Sequence, residues 1–212
     1  MASSLAAAAA AVAALSGGGG EPADSRFTVM REGSPIGTHR IRTEQVGDET
    51  RVAVEIDLQV RIAFVTVYRY SHRNRETWRD GRLVAIDTRT DDNGTVTSVR
   101  GRATQAGFAI EASAGDRLLP GDVLPTSYWR PIDPDRTRLL DTQTGRLLDV
   151  RVRREGEERL PAGLLATRYS VRGDLDVDLW YDGGERLRRI AFDYRGARFD
   201  YAEQAPARLA GG

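Results

Sequence analysis

Cysteine is absent from the 212 residues. Its absence excludes disulfides, thiolate metal sites, cysteine nucleophiles and a lipid-modified N-terminal cysteine. Lysine is absent too, and all 31 positive side chains are arginine. Schiff-base chemistry and a lysine general base are therefore ruled out. Histidine is scarce: His39 and His72 are the only two, so a histidine-rich metal site cannot form. Net charge is lacking as well. The 31 acidic residues balance the arginines, and no global field favours nucleic acid or an anionic membrane. Beyond the first 15 residues no apolar run is long enough to span a bilayer. No Gly-x-Ser-x-Gly elbow, phosphate loop or dinucleotide fingerprint occurs, so no cofactor is expected.

What is present is a repeated pattern of strands and tight turns. Glu76-Thr-Trp-Arg-Asp-Gly-Arg-Leu83 joins two strand-like segments through Asp80-Gly81. A looser copy returns at Trp180, Asp182-Gly183, Arg186-Leu187 and Ile190. Arg51 to Ile62 shows the cleanest periodicity. Val52, Val54, Ile56, Leu58, Val60 and Ile62 alternate with Arg51, Glu55, Asp57, Gln59 and Arg61. A period of two puts the apolar set on one face of a strand and the charged set in water. The dominance of β-branched residues suits that pleated surface. Phe64 to Arg79 continues the pattern, with Phe64, Tyr68, Tyr70, His72, Glu76 and Trp78 expected on the inner face. Asn93-Gly94 is a strong hairpin signal, because a two-residue type I′ turn needs positive φ at both positions.

Twelve such strands can be marked. Short links make neighbours antiparallel, and the wet-and-dry alternation requires the sheet to roll up. The expected fold is all-β: an antiparallel meander of about ten to twelve strands forming a strongly curved sheet or incomplete barrel. Residues 1–24 read as a signal peptide or disordered leader, from the Ala-rich run Leu5 to Leu15. Residues 25–202 form a single β domain, and 203–212 a disordered tail. The leader places the protein in the periplasm or outside the cell. Ala114 to Thr137 interrupts the rhythm with Pro120, Pro125, Pro131 and Pro134, which exclude a central strand. It is expected as a long loop at the mouth of the sheet, with a short helical turn near Thr126 to Trp129.

Several strings carry a resemblance: Gly33-Ser-Pro-Ile-Gly-Thr-His39, Tyr68-Arg-Tyr70, Glu76 to Leu83, Thr126-Ser-Tyr-Trp129 and Asp193-Tyr-Arg-Gly196. Over about Phe27 to Tyr201 the chain resembles a family of small bacterial secreted proteins of unknown function. At fold level it also looks like the curved sheets of periplasmic lipoprotein-localisation carriers. That likeness implies a half-open barrel able to hold an acyl chain.

The chemistry on offer is sparse. His72, Glu76 and Tyr70 share a strand face and are the candidates for an acid–base site. His39 could join His72 and Glu76 at a metal only if distant strands met, so no metal site is assigned. Asp174, Asp176 and Asp178 alternate with apolar residues and are expected to pair across strands with Arg168, Arg172 or Arg188. Arg69, Arg73, Arg75 and Arg79 read as a solvated strip. The leading expectation is a non-catalytic domain binding a lipid-like or other apolar small molecule on its concave face. Phe64, Tyr68, Tyr70, His72, Trp78, Tyr128 and Trp129 are the candidate ligand-binding residues, with the proline loop as gate. A cell-envelope scaffold or protein-interaction module is the alternative, its protein partner open. An enzyme built on His72, Glu76 and Tyr70 is the second.

Overall fold

The computed structural model describes residues 23–204. Fourteen strands follow one another: β1 (Ala23–Arg31), β2 (Ser34–Val46), β3 (Glu49–Ile62), β4 (Val65–Arg79), β5 (Arg82–Asp92), β6 (Thr95–Thr104) and β7 (Gly107–Ala112). Then come β8 (Arg117–Leu119), β9 (Arg138–Leu140), β10 (Leu147–Arg159), β11 (Leu165–Gly173), β12 (Val177–Tyr181), β13 (Leu187–Tyr194) and β14 (Ala197–Glu203). They form one unclosed antiparallel sheet in the order β8-β7-β6-β5-β4-β3-β2-β1-β14-β13-β12-β11-β10-β9. The strand count exceeds the expected ten to twelve because β8 and β9 are three residues each, too short for a period to show.

The chain runs β1 to β8 in one direction across the sheet, crosses over, and returns from β9 to β14. The last strand then pairs with the first, Val29 opposite Tyr201. Asp24 belongs to β1 and makes an ion pair with Arg40 at 2.6 Å. Glu203 pairs with Phe27 in β14 and contacts Arg188. Strand β1 begins at Ala23 and β14 ends at Glu203. The proposed leader up to residue 22 and the tail from 205 lie outside the described residues.

Turns mark two ends of the rolled sheet. Glu32–Gly33, Ala63–Phe64, Asn93–Gly94 and Arg195–Gly196 lie at one, called the upper end here. Gly47–Asp48, Asp80–Gly81 and Asp182–Arg186 lie at the lower. Asn93 and Gly94 have φ of 52° and 94°, as the hairpin signal requires.

The two Trp/Asp-Gly/Leu copies do form equivalent lower hairpins, but their tryptophans face opposite ways. Trp78 pairs with Leu83, just after a bulge, and both sit in the interior. In the second copy the residue after the bulge is Tyr181, which pairs with Leu187 in the interior. Trp180 lies on the outer face with Leu160, Ala166 and Ala191. There its indole donates to Glu158 at 2.8 Å, with Arg189 stacked 4.8 Å from the ring. The longer turn of the second copy shifts the side-chain parity by one, and one residue is enough to change the face.

The interior is filled largely by the connection between β8 and β9. Val123, Leu124 and Ile132 are buried within it, as are Leu139 and Leu140 of β9. Pro125 makes an isolated bridge to Leu140, and the Thr126 amide donates to the Leu140 carbonyl at 3.0 Å. The next turn presses on the far edge of the sheet. Thr142 accepts from the Thr88 hydroxyl through its carbonyl, and the Ala114 amide donates to Thr144. This segment is a plug, not the gate at the mouth that its prolines suggested. Prolines exclude sheet pairing but leave a chain free to run through a core. No helical turn forms near Thr126: Tyr128 has φ of +57°, and the Tyr181 hydroxyl donates to its carbonyl at 3.0 Å.

Gly145 closes the plug. A Cβ at this position would stand 2.4 Å from the Ala112 methyl, at φ of +79°. Both the overlap and the left-handed backbone penalise a side chain. Gly145→Ala is expected to destabilise the fold by about 2 kcal/mol, read as a lower urea midpoint. An unchanged midpoint would show that the plug has slack there.

Candidate functional site

Strand β4 supplies the inner-face residues singled out in the sequence, and the structure divides them into three environments. Phe64 stands apart. It lies in the β3–β4 turn beside Ala63 (φ 53°) and is fully exposed. The inner face begins only after the turn, which moves Phe64 off it.

The lower environment is a buried carboxylate. Glu76 is 2% exposed and accepts three hydrogen bonds: from Asn74 Nδ2 at 2.7 Å, Trp78 Nε1 at 2.8 Å and Ser127 Oγ at 3.2 Å. Burial pushes its carboxyl up, while the three donors and the nearby Arg130 oppose that shift. Ser127 belongs to the plug, so this carboxylate ties sheet to plug. Next to it Trp78 and Trp129 meet edge to face, with ring centroids 5.6 Å apart. The Arg130 guanidinium lies 4.3 Å from the Trp78 ring and 5.3 Å from Trp129, and donates to the Gly81 carbonyl. Trp78, Trp129 and Tyr128 thus pack the plug against the sheet.

The middle environment holds both histidines. Register places His39, Ile56, His72 and Thr90 side by side across β2, β3, β4 and β5. His72 is hydrogen-bonded through Nδ1 to Thr90 Oγ1 at 2.8 Å, and its Nε2 lies 3.4 Å from Thr142 Oγ1. His39 sits between Phe27 and Tyr201, with ring centroids 5.5 and 5.6 Å away. Neither of its ring nitrogens has a partner. Burial pushes His39 down to about 3, helped by His72, and His72 itself to about 4. Among the described residues no three His, Asp or Glu side chains gather as a metal site would require. His72, Glu76 and Tyr70 make no hydrogen bonds to one another, so the geometry gives no acid–base triad.

The upper environment is open. Between β2, β3, β4 and the β5–β6 turn lies a cleft of about 760 Å³, bordered by Ile36, Leu58 and Tyr70. Asp57, Gln59, Arg61, Arg69, Ser71 and Asp91 line it as well. Burial raises the Tyr70 phenol well above its ordinary value, with Tyr201 and Tyr68 adding to the effect. Tyr68 is next along the same face, beside Asp92.

The remaining charged candidates are structural. Asp178 pairs with Arg172 at 2.6 Å and Arg168 at 3.8 Å. Asp174 and Asp176 instead accept turn amides, from Asp149 and Gly173. Arg73 and Arg79 of the arginine strip pair with Asp57 and Glu49. Sequence reading missed Asn74 and Ser127. Asn74 falls between His72 and Glu76 on the same parity, which was a usable signal. Ser127 had none, because nothing local tells a plug from a surface loop. No helix among the described residues is long and apolar enough to cross a membrane.

A search of curated proteins gives no match. Among solved structures, the chain is similar to the crystal structure of a beta-barrel-like protein of domain of unknown function DUF1849 from Brucella abortus. The TM-score is 0.59 at 12% identity, covering 86% of this chain and 95% of that one. The likeness is one of fold. A family model described as a domain of unknown function (DUF6134) matches residues 27–204, and the chain belongs to that family.

Proposed function

We propose that this is an exported, non-catalytic domain that binds an amphiphilic small molecule in the upper cleft. The observation carrying this reading is the cleft itself. Its volume of about 760 Å³ lies in the range of small-molecule sites, and its lining mixes the apolar Ile36, Leu58 and Tyr70 with at least as many polar groups, among them Asp57, Gln59 and Arg69. Ile36, Leu58 and Tyr70 suit an acyl or similar chain, while Arg61 and Arg69 suit an acidic or phosphorylated head. The concave face is unsuited to a ligand where the plug packs on it, as Ser127 does on Glu76. The non-catalytic reading rests on His72 and Glu76, each held by its own neighbours. Export rests on the Ala-rich leader.

The test is titration of the full chain with a fatty acid carrying an anthroyloxy fluorophore. Saturable binding is expected. Leu58→Trp should fill the cleft and weaken binding at least about tenfold, the loss of roughly 1.4 kcal/mol of apolar contact. No saturable signal, or equal affinity in the filled variant, would refute the cleft as the binding site.

A further inference from the structure

The upper end carries a second feature, which shares Arg61 and Arg69 with the cleft but extends past it to Phe64. β2 pairs with β3 only as far as Gly37 opposite Leu58. β5 pairs with β4 only as far as Asp92 opposite Tyr70, with one more bond from the Asn93 amide to the Arg69 carbonyl. Apart from Arg69, which also bonds Asn93, residues 59–69 pair along the strands only with each other: Gln59 with Arg69, Val60 with Tyr68, Arg61 with Thr66, Ile62 with Val65. They form a two-stranded ribbon at the rim, with Pro35 and Ile36 of β2 beside its base across the cleft.

Lower on the same strands several arginines pair with carboxylates, as Arg40 with Asp24, Arg42 with Glu55 and Arg73 with Asp57. Gln59 to Arg69 contains no acidic residue at all. Phe64 at the tip is fully exposed, and Val65 and Val67 are 65% and 45% exposed. Arg61 and Arg69 flank this apolar end, and neither has a carboxylate partner among the described residues. The nearest acids stay at the ribbon's base, where Asp91 caps the Gly94 amide and Asp92 lies beside the Tyr68 phenol.

A free ribbon with apolar side chains on its tip would normally be blunted by charge, since open strand edges invite aggregation. Here the charge is set back from the tip and is all of one sign. That arrangement matches a surface that is apolar inside and anionic at its face. We infer that the β3–β4 ribbon docks the protein on anionic lipid surfaces, with Phe64 and Val65 entering the interface and Arg61 and Arg69 contacting lipid phosphates. The overall neutrality of the chain does not oppose this, because screening leaves local charge in control at contact range. Docking stands whether or not the cleft carries a ligand. The ribbon borders the cleft, so docking would bring its opening close to the lipid.

The experiment is co-sedimentation of the full chain with vesicles of phosphatidylglycerol and phosphatidylcholine, against phosphatidylcholine alone. Binding to the anionic vesicles is expected, falling with added salt. Phe64→Ser should weaken it about tenfold. Arg61→Gln and Arg69→Gln should each weaken it about fivefold. Phe64 packs against nothing, so the melting temperature of its variant should match the parent. Leu58→Trp, inside the cleft, should leave vesicle binding unchanged, which separates this surface from the proposed ligand site. Absence of binding, equal binding to neutral vesicles, or indifference to Phe64→Ser would overturn the inference. So would a Phe64-dependent dimer in light scattering without vesicle binding, which would make a second copy the occupant.

Discussion

Replacing Glu76 with alanine is expected to destabilise the domain by roughly 3–5 kcal/mol, a large share of the 5–15 kcal/mol typical of a fold. The effect has two sources. Three buried donors, on Asn74, Trp78 and Ser127, lose their acceptor together. A cavity also opens between sheet and plug, which relaxes only in part. Glu76→Gln should cost less, because it keeps the volume and one acceptor oxygen, but its amide would point a donor at donors. Ser127→Ala should cost about 1 kcal/mol, the net worth of one hydrogen bond. Urea titration followed by tryptophan fluorescence reads all three, since Trp78 is itself a partner. A Glu76→Ala midpoint close to the parent's would mean the carboxylate does not tie plug to sheet.

Acid should unfold the protein earlier than its surface ion pairs would dictate. His39 and His72 are neutral in the fold, with values near 3 and 4 set chiefly by burial. In the unfolded chain both take a proton near pH 6.5. The unfolded state therefore binds more protons, and stability falls as the pH drops below 6.5. The loss continues until the folded-state values are reached. Each histidine contributes about 1.4 kcal/mol per pH unit, so the two together remove roughly 5 kcal/mol between pH 6.5 and pH 4.5.

The surroundings do little to relieve this. His39 faces Phe27, Tyr201 and His72 and no carboxylate. His72 feels Asp141, which favours its charge, and Arg73, which opposes it. Glu76 acts with the opposite sign. Its raised folded value makes protonation easier in the fold, so it restores some stability as the pH falls through that value. His39→Leu should remove about half of the slope. It should also be neutral or stabilising at pH 7.5, because it removes two buried nitrogens that lack partners. Urea midpoints at pH 7.5 and 4.5 for parent and variant decide the matter. Equal slopes would assign the acid sensitivity elsewhere.

Much of the sheet was legible because alternation is a local signal. Val52 to Leu58 shows its inner face without help from any other strand, and Asn93-Gly94 shows its turn. Parity was legible only between irregularities. Trp180 faces away from the interior that holds Trp78 because the second hairpin's turn is longer than the first, and the residue equivalent to Trp78 is Tyr181. Phe64 was misplaced because a turn and a strand end look alike in an apolar run. The plug was the larger miss. Its prolines correctly ruled out sheet pairing, but whether Val123, Leu124 and Ile132 face solvent or core depends on how far the sheet curls. The cleft lies at the upper ends of β2, β3 and β4, where outer-face residues such as Asp57 and Gln59 also line it. Of the seven proposed ligand residues, Tyr70 borders it.

The pairing of β1 with β14 also bears on how fast the protein can assemble. Nearly every other strand pair is a hairpin that forms over a short loop. The β1–β14 ladder joins Val29 to Tyr201, almost the whole chain apart, and sits in the middle of the sheet. Until the last strand is available, β1 has a bare edge and the inner face of β1–β8 has no covering from β10–β14. Loop closure over that length must precede the contacts that reward it, so the slow step in folding should be the joining of two preformed halves. During that wait each half is open to wrong partners, including the same strands of another copy.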